Sequence, residues 1–213
     1  MKIQVELFPY FMKAGKLRKY QSKDLIYMQE DSSTSLYLLL KGRVRVYVIL
    51  PSGEEMTYEI LEKGRIFGDS SFFKNTPRPT TVSCVNDVEL IECQLDDLYP
   101  YLTSSKELTI ALLQTLSENC DYLSTLLKRA YHYNRYEKVA SFLLEETKKD
   151  NPERGIYDAT LPYTHEELAM VIGLSRVTTT KVLNHFKKMN YIELSYKKIK
   201  VINRFGLMQE INK

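Results

Sequence analysis

The sequence contains no run of about 18 apolar residues, so no segment reads as a membrane span. It is also short of the groups that carry catalysis. A glycine-rich phosphate loop, an HExxH pair and a nucleophile elbow are all missing, and His132, His165 and His185 lie far apart in the chain. Neither an enzyme nor a metal site is expected. Only Cys84, Cys93 and Cys120 carry thiols, an odd and scattered set that does not suit a secreted disulfide framework. Without C-x-x-C spacing, three thiolates also cannot hold an iron–sulfur cluster, which normally takes about four. The three cysteines read as buried thiols filling apolar space, with a redox role as the alternative. Glu6 and Pro9 interrupt the stretch where a secretory apolar region would lie, so a cytoplasmic location is expected. What the chain does have is 44% hydrophobic residues, including frequent Tyr and Phe, which excludes disorder and can supply two cores.

Charge is unevenly spread. Between Ser175 and Arg204 stand Arg176, Lys181, Lys187, Lys188, Lys197, Lys198, Lys200 and Arg204, opposed only by Glu193, a net of +7. The whole chain is +3, so the remainder is net acidic. A basic patch confined to one short region is the electrostatic footprint of phosphate-backbone binding, with a solvated lysine-rich surface as the bland alternative.

The first hundred residues read as short strands between turns. Leu36 to Leu40 is a continuous apolar run, and Val44, Val46 and Val48 alternate with Arg43, Arg45 and Tyr47. Pro51 to Gly53 is a turn, and Met56 to Leu61, Arg65 to Phe67, Thr80 to Cys84 and Val88 to Cys93 continue the strand pattern. The period then changes. Leu113, Leu116, Cys120, Leu123, Leu127 and Ala130 fall alternately three and four apart, the narrow seam of a helix that pairs with one partner helix. A helix from about Lys106 to Tyr131 that joins two copies of the chain is the favoured reading, and packing on its own β-roll is the alternative. A second helix from about Tyr136 to Lys148 carries Val139, Ala140, Leu143 and Leu144 on one face, and Asp150 to Gly155 is a polar break.

Thr164 and Glu167 have capping-box spacing, and Leu168, Ala169 and Ile172 give a short helix its apolar face. Gly173 follows where a tight turn needs positive φ or room for close approach. Ser175 can cap a second helix running to about Met189, with Val182, Leu183 and Phe186 facing inward. Tyr191 to Tyr196, a turn at Lys197 and Lys198, and Ile199 to Ile202 make a hairpin with a basic tip. This is a helix-turn-helix with a wing. Arg176, Val177, Thr180, Lys181 and Asn184, with Thr178 on the same helix, could reach base edges, while Ser175, Lys187, Lys197 and Lys198 hold phosphates. A helical hairpin used for protein contacts is the alternative.

In this order the pieces resemble the CRP/FNR superfamily of bacterial transcription regulators, over essentially the whole chain. The segment Glu167 to Leu183 (ELAMVIGLSRVTTTKVL) is similar to that family's DNA-binding motif. Leu39 to Val46 (LLKGRVRV) and Gly64 to Asp69 (GRIFGD) resemble its sensor domain. The resemblance implies an α+β chain: an antiparallel, jelly-roll-like β-roll sensing an effector over 1–103, a dimerisation helix over 104–133 and a winged helix-turn-helix over 134–213. It also implies a homodimer that reads a pseudo-palindrome in double-stranded DNA, with RNA polymerase as a further partner and no membrane.

Two departures bear on specificity. Members that read TGTGA- or TTGAT-like half-sites usually carry Glu where this chain has Val177, which can contact a thymine methyl but cannot accept from cytosine N4. An A/T-leaning half-site is therefore expected. Lys181 stands where the family has Arg, keeping the charge without the bidentate fork.

The resemblance places an effector site at Gly68, Asp69, Arg78 and Thr80, with Ser124 on the helix. Cyclic-AMP-binding members carry Gly-Glu and Arg-Ser where this chain has Gly68-Asp69 and Arg78-Pro79. Asp shortens the arm to the ribose, and Pro removes a hydroxyl and an N–H. Losing two donors to a charged oxygen costs about 1.5–3 kcal/mol each, so cyclic AMP is not the expected effector. Arg78 remains as an anion partner, and the effector stays unidentified. Cys120 at the seam would meet its mate in a parallel dimer, where oxidation could join the two. The alternative from another class is a ligand-binding signalling module that acts through protein contacts without specific DNA binding.

Overall fold

The computed structural model describes residues 2–32, 35–74, 76–147 and 160–211. It divides into two compact units, Met1–Asp121 and Tyr122–Lys213.

The first unit is the expected antiparallel β-roll. Its strands are β1 (Gly15–Tyr20), β2 (Leu25–Tyr27), β3 (Ser35–Lys41), β4 (Arg43–Ile49), β5 (Glu55–Glu62), β6 (Ile66–Phe67), β7 (Thr81–Cys84) and β8 (Val88–Gln94). They form two sheets of order β1-β8-β3-β6 and β2-β7-β4-β5, all pairs antiparallel. The apolar run of β3 is continuous because both of its faces are buried. Tyr37 and Leu39 meet Val44, Leu61 and Val82 between the sheets. Leu36 and Leu38 point the other way, into a second cluster with helices α1 (Phe8–Ala14), α3 (Leu95–Ser104) and α4 (Lys106–His132). A bulge between Val46 and Tyr47 breaks the alternation expected in β4, so Tyr47 and Val48 are both buried.

The helix α4 is shared, with residues 106–121 in the first unit and 122–132 in the second. Leu108, Ala111 and Leu112 lie in the core of the roll. The second unit continues with α5 (Arg135–Glu146), β9 (Thr160–Leu161), α6 (His165–Ile172), α7 (Arg176–Lys188), β10 (Ile192–Ser195), β11 (Lys198–Val201) and α8 (Arg204–Ile211). Asn134 and Glu137 form a capping box at the start of α5, whose Val139, Ala140, Phe142, Leu143 and Leu144 are buried. The polar break expected at Asp150 to Gly155 lies outside the described residues, as does Lys148, the expected end of the preceding helix.

Candidate nucleic-acid interface and effector pocket

The turn between α6 and α7 is built from local chemistry. The Thr164 hydroxyl accepts from the Glu167 N–H at 3.1 Å, and the Glu167 carboxylate accepts from the Thr164 N–H at 2.7 Å. Gly173 ends α6 at φ 67°, and a Cβ there would meet nothing within 4 Å. Glycine is needed there for the dihedral alone, and close approach plays no part. Ser175 then caps α7 by accepting from the Thr178 N–H at 3.1 Å. Val182, Leu183 and Phe186 are buried, which turns the other face of α7 outward.

On that outward face Ser175, Arg176, Val177, Lys181, Asn184 and Lys187 are all exposed, and α7 contains no acidic residue. The wing adds exposed Lys197 and Lys198. Thr178 and Thr180 are half-buried and engaged: Ser175 Oγ donates to Thr178 Oγ1 at 2.9 Å, and Thr180 Oγ1 lies 3.0 Å from His165 Nδ1. Ser195 pairs with Lys198, so the hairpin loop is Tyr196-Lys197, one residue earlier than the expected turn, and Lys198 belongs to the strand. Lys197 takes φ 53°, a conformation that favours glycine.

Spacing alone did not reveal two neighbours of this face. Glu166 Oε2 lies 3.3 Å from Arg176 Nη1, an exposed ion pair across the two helix starts. Tyr196 is exposed at the wing tip. Glu166, Arg176, His165 and Tyr196 line a cavity of about 270 Å³ between the start of α6 and the wing. Burial, and secondarily the Arg176 charge, push the His165 pKa below its ordinary value. Capping-box spacing placed Glu166 on the first turn of α6, but its pairing with Arg176 depends on how the two helices cross.

The proposed dimer seam runs along α4 on a face adjoining that of Leu108, Ala111 and Leu112. Leu113, Leu123 and Leu127 are 60%, 54% and 59% exposed, Ala130 is exposed and Leu116 is half-buried. Cys84 and Cys93 are buried as expected, and burial pushes their thiols up to about 11 and about 12. Cys120 departs from that expectation: it is exposed, because its place on the seam faces away from the core.

In the roll, Gly68, Arg78 and Thr80 come together around an aromatic cluster. Tyr27 stacks on Tyr37 at 5.7 Å, and Tyr37 on Phe67 at 5.0 Å. Arg78 is 0% exposed, with its guanidinium 4.3 Å from the Tyr27 ring centroid. Its Nη1 donates to Gly68 O at 2.8 Å and to Ser71 Oγ at 2.5 Å, and its Nη2 donates to Ser35 O at 2.7 Å. Gly68 has φ 83°, and a Cβ there would lie 2.7 Å from Arg78 Nη1. Thr80 hydrogen-bonds Tyr27, whose hydroxyl burial pushes up to about 12. Asp69 accepts from Asn119 Nδ2 at 3.3 Å, and Ser124 is an exposed residue of α4. Arg78 thus cross-links the loop before α2 (Asp69–Lys74) to the start of β3.

Among the described residues no group of three or more His, Cys, Asp or Glu side chains could hold a metal ion, and no helix is long and apolar enough to cross a membrane.

Residues 17–105 match the cyclic nucleotide-binding domain family, and residues 137–210 match the Crp-like helix-turn-helix domain family. The global nitrogen regulator of Synechocystis sp. is 27% identical over 188 residues, covering 87% of this chain and 84% of that protein. A CRP-like cAMP-activated global transcriptional regulator of Mycobacterium tuberculosis is 25% identical over 175 residues, covering 82% and 78%. The structure of a CooA mutant from Carboxydothermus hydrogenoformans superposes with a TM-score of 0.80 at 19% identity, covering 98% of this chain and 95% of that one. Both domain families, in this order on a roll, a long helix and a winged helix-turn-helix, place the chain in the CRP/FNR superfamily of transcription regulators.

Proposed function

We propose that two copies of the chain pair through the α4 stripe and present their α7 helices to successive major grooves of a pseudo-palindromic, A/T-leaning site. The observation that carries this reading is the outward face of α7. Arg176, Val177, Lys181, Asn184 and Lys187 stand exposed on a helix without an acidic residue, beside the basic wing. Ser175, Lys187, Lys197 and Lys198 would hold phosphates, and Arg176, Val177, Thr178, Thr180, Lys181 and Asn184 would face base edges. The pairing surface supports the same reading. Water-exposed Leu113, Leu123 and Leu127 at heptad spacing are the kind of patch that marks a partner interface.

In this scheme the roll (1–103) senses, the helix (104–133) pairs and the last part (134–213) reads DNA, with the cytoplasm as the setting and RNA polymerase as a further partner. The effector biases the paired helices between two arrangements and so sets where the reading helices point. Gly68, Asp69, Arg78, Thr80 and Ser124 are the residues we assign to the effector site. The Mycobacterium tuberculosis relative is named as cAMP-activated. For this chain we propose a different effector, because Asp69 and Pro79 withhold two contacts and Arg78 is already occupied by carbonyl oxygens.

Selection from a randomised duplex pool by the purified chain, at low and moderate salt, tests the reading. Recovery of an A/T-leaning inverted repeat with half-sites about 34 Å apart is expected. Sequence-independent binding that no candidate effector changes would favour a signalling module acting through protein contacts.

A further inference from the structure

The last turn of α4 carries a charge that is out of the water. Arg129 is 4% exposed. Its Nη2 pairs with the Glu145 carboxylate, its Nε donates to Ser141 Oγ at 3.1 Å, and its guanidinium lies 5.8 Å from the centre of the Phe142 ring. All three partners belong to α5 and sit on one side of it, spaced i, i+1 and i+4. Phe142 is in turn set edge-on against Tyr163 at 5.2 Å.

From α5 the contacts continue to the reading helix. Tyr136 meets His185 at 5.2 Å and Phe186 at 6.3 Å, both on α7. The C-terminal end of α5 is held separately by Arg204, which donates to Thr147 Oγ1 and to Leu144 O. Only Tyr133 and Asn134 separate α4 from α5, and Asn134 is fixed as the cap.

A buried ion pair is a poor way to gain stability, because its desolvation cost roughly cancels its attraction and apolar side chains pack as well. What it supplies is direction. A guanidinium that must meet a carboxylate, a hydroxyl and a ring face tolerates one angle between two helices, whereas leucines would tolerate several.

We propose that Arg129 is a positioning residue: by locking the last turn of α4 to α5, it makes the reading helix follow the pairing helix as one piece. The proposal rests on the dimeric DNA-binding reading above, and its test separates the two.

Spin labels at Lys188→Cys, in a Cys120→Ala background, report the distance between the α7 helices of a pair in the full-length chain. With Arg129 intact a single narrow distance distribution is expected. Glu145→Gln and Arg129→Lys, which keep side-chain size or charge but lose the three-way fit, should widen it at least about twofold. The exchanged pair Arg129→Glu with Glu145→Arg should narrow it again. The same variants should bind an isolated half-site within about twofold of wild type while losing discrimination between operators of altered half-site spacing. Variants that melt at lower temperature with unchanged distribution width would reduce Arg129 to a packing role and overturn the proposal. A distribution already broad in the parent would overturn it too. A parent that sediments as a monomer and gives no dipolar signal would overturn the dimer reading, and the proposal with it.

Discussion

Arg78 in the roll and Arg176 on the reading helix are the same side chain put to opposite uses. Arg78 is wholly buried, and carbonyl oxygens, a serine hydroxyl and tyrosine rings meet its guanidinium. Arg176 is exposed and touches one acidic group, Glu166, at 3.3 Å. Burying a charge demands many specific partners, so Arg78 organises its surroundings. An exposed ion pair is worth only about 0–1 kcal/mol, so Arg176 can leave Glu166 for a phosphate or a base at little cost. The roll is built around its arginine, whereas α7 leaves its own on the surface.

The largest effect should follow from breaking the first arrangement. Arg78→Met removes charge-assisted hydrogen bonds to Ser35 O and to Gly68 O, which keeps the Phe72 N–H, at about 1.5–3 kcal/mol each, and denaturant unfolding should show a loss of about 3–6 kcal/mol. Next comes the α4 stripe that we propose joins two copies. Leu123→Lys with Leu127→Lys should turn the dimer into a folded monomer in sedimentation, since both side chains are already exposed in the single chain. Arg176→Ala should leave the melting temperature nearly unchanged and lower DNA affinity. If Arg176 meets a phosphate, the slope of log affinity against log salt should fall by about 0.9. If it meets a guanine edge instead, sequence discrimination should fall with the slope preserved.

Titration separates the two regions again. Tyr27, Cys84 and Cys93 have folded pKa values raised to about 12, about 11 and about 12. Their stabilising contribution is complete below the ordinary values of 10.0 and 9.0 and is lost as pH rises through the raised ones. The roll should therefore weaken between pH 9.0 and about 12, and alkylation below that range should label Cys120 while Cys84 and Cys93 stay protected. The smallest effect belongs to His165. Its folded pKa is lowered, so stability present above 6.5 is lost as pH falls through the lowered value, and His165→Gln should abolish that slight acid sensitivity.

The same contrast explains what could be read from the sequence. The reading head was legible because its signals are local: Thr164 and Glu167 are three residues apart, and Ser175 caps the helix it begins. β3 was legible because both of its faces are buried, leaving an unbroken apolar run. By contrast β1 is mostly polar and largely exposed, and it is a strand because Gly15–Tyr20 pairs with β8, whose residues lie 68 to 78 positions further along the chain. Pro100 inside α3 disguised a helix, and the bulge at Val46 and Tyr47 shifted an alternation that had looked regular. The enclosure of Arg78 depends on Ser35 and Gly68, which only the folded roll brings to it.

The claim that joins the two regions is that paired α4 helices hold two reading helices one duplex turn apart. The most direct measurement is the affinity of the chain for its selected inverted repeat against the same repeat with about half a turn, about 5 bp, inserted between the half-sites. A loss of at least about 100-fold, down to the affinity of a single half-site, is the expected result. Equal affinity for both duplexes would contradict the account, because each copy would then be reading DNA alone.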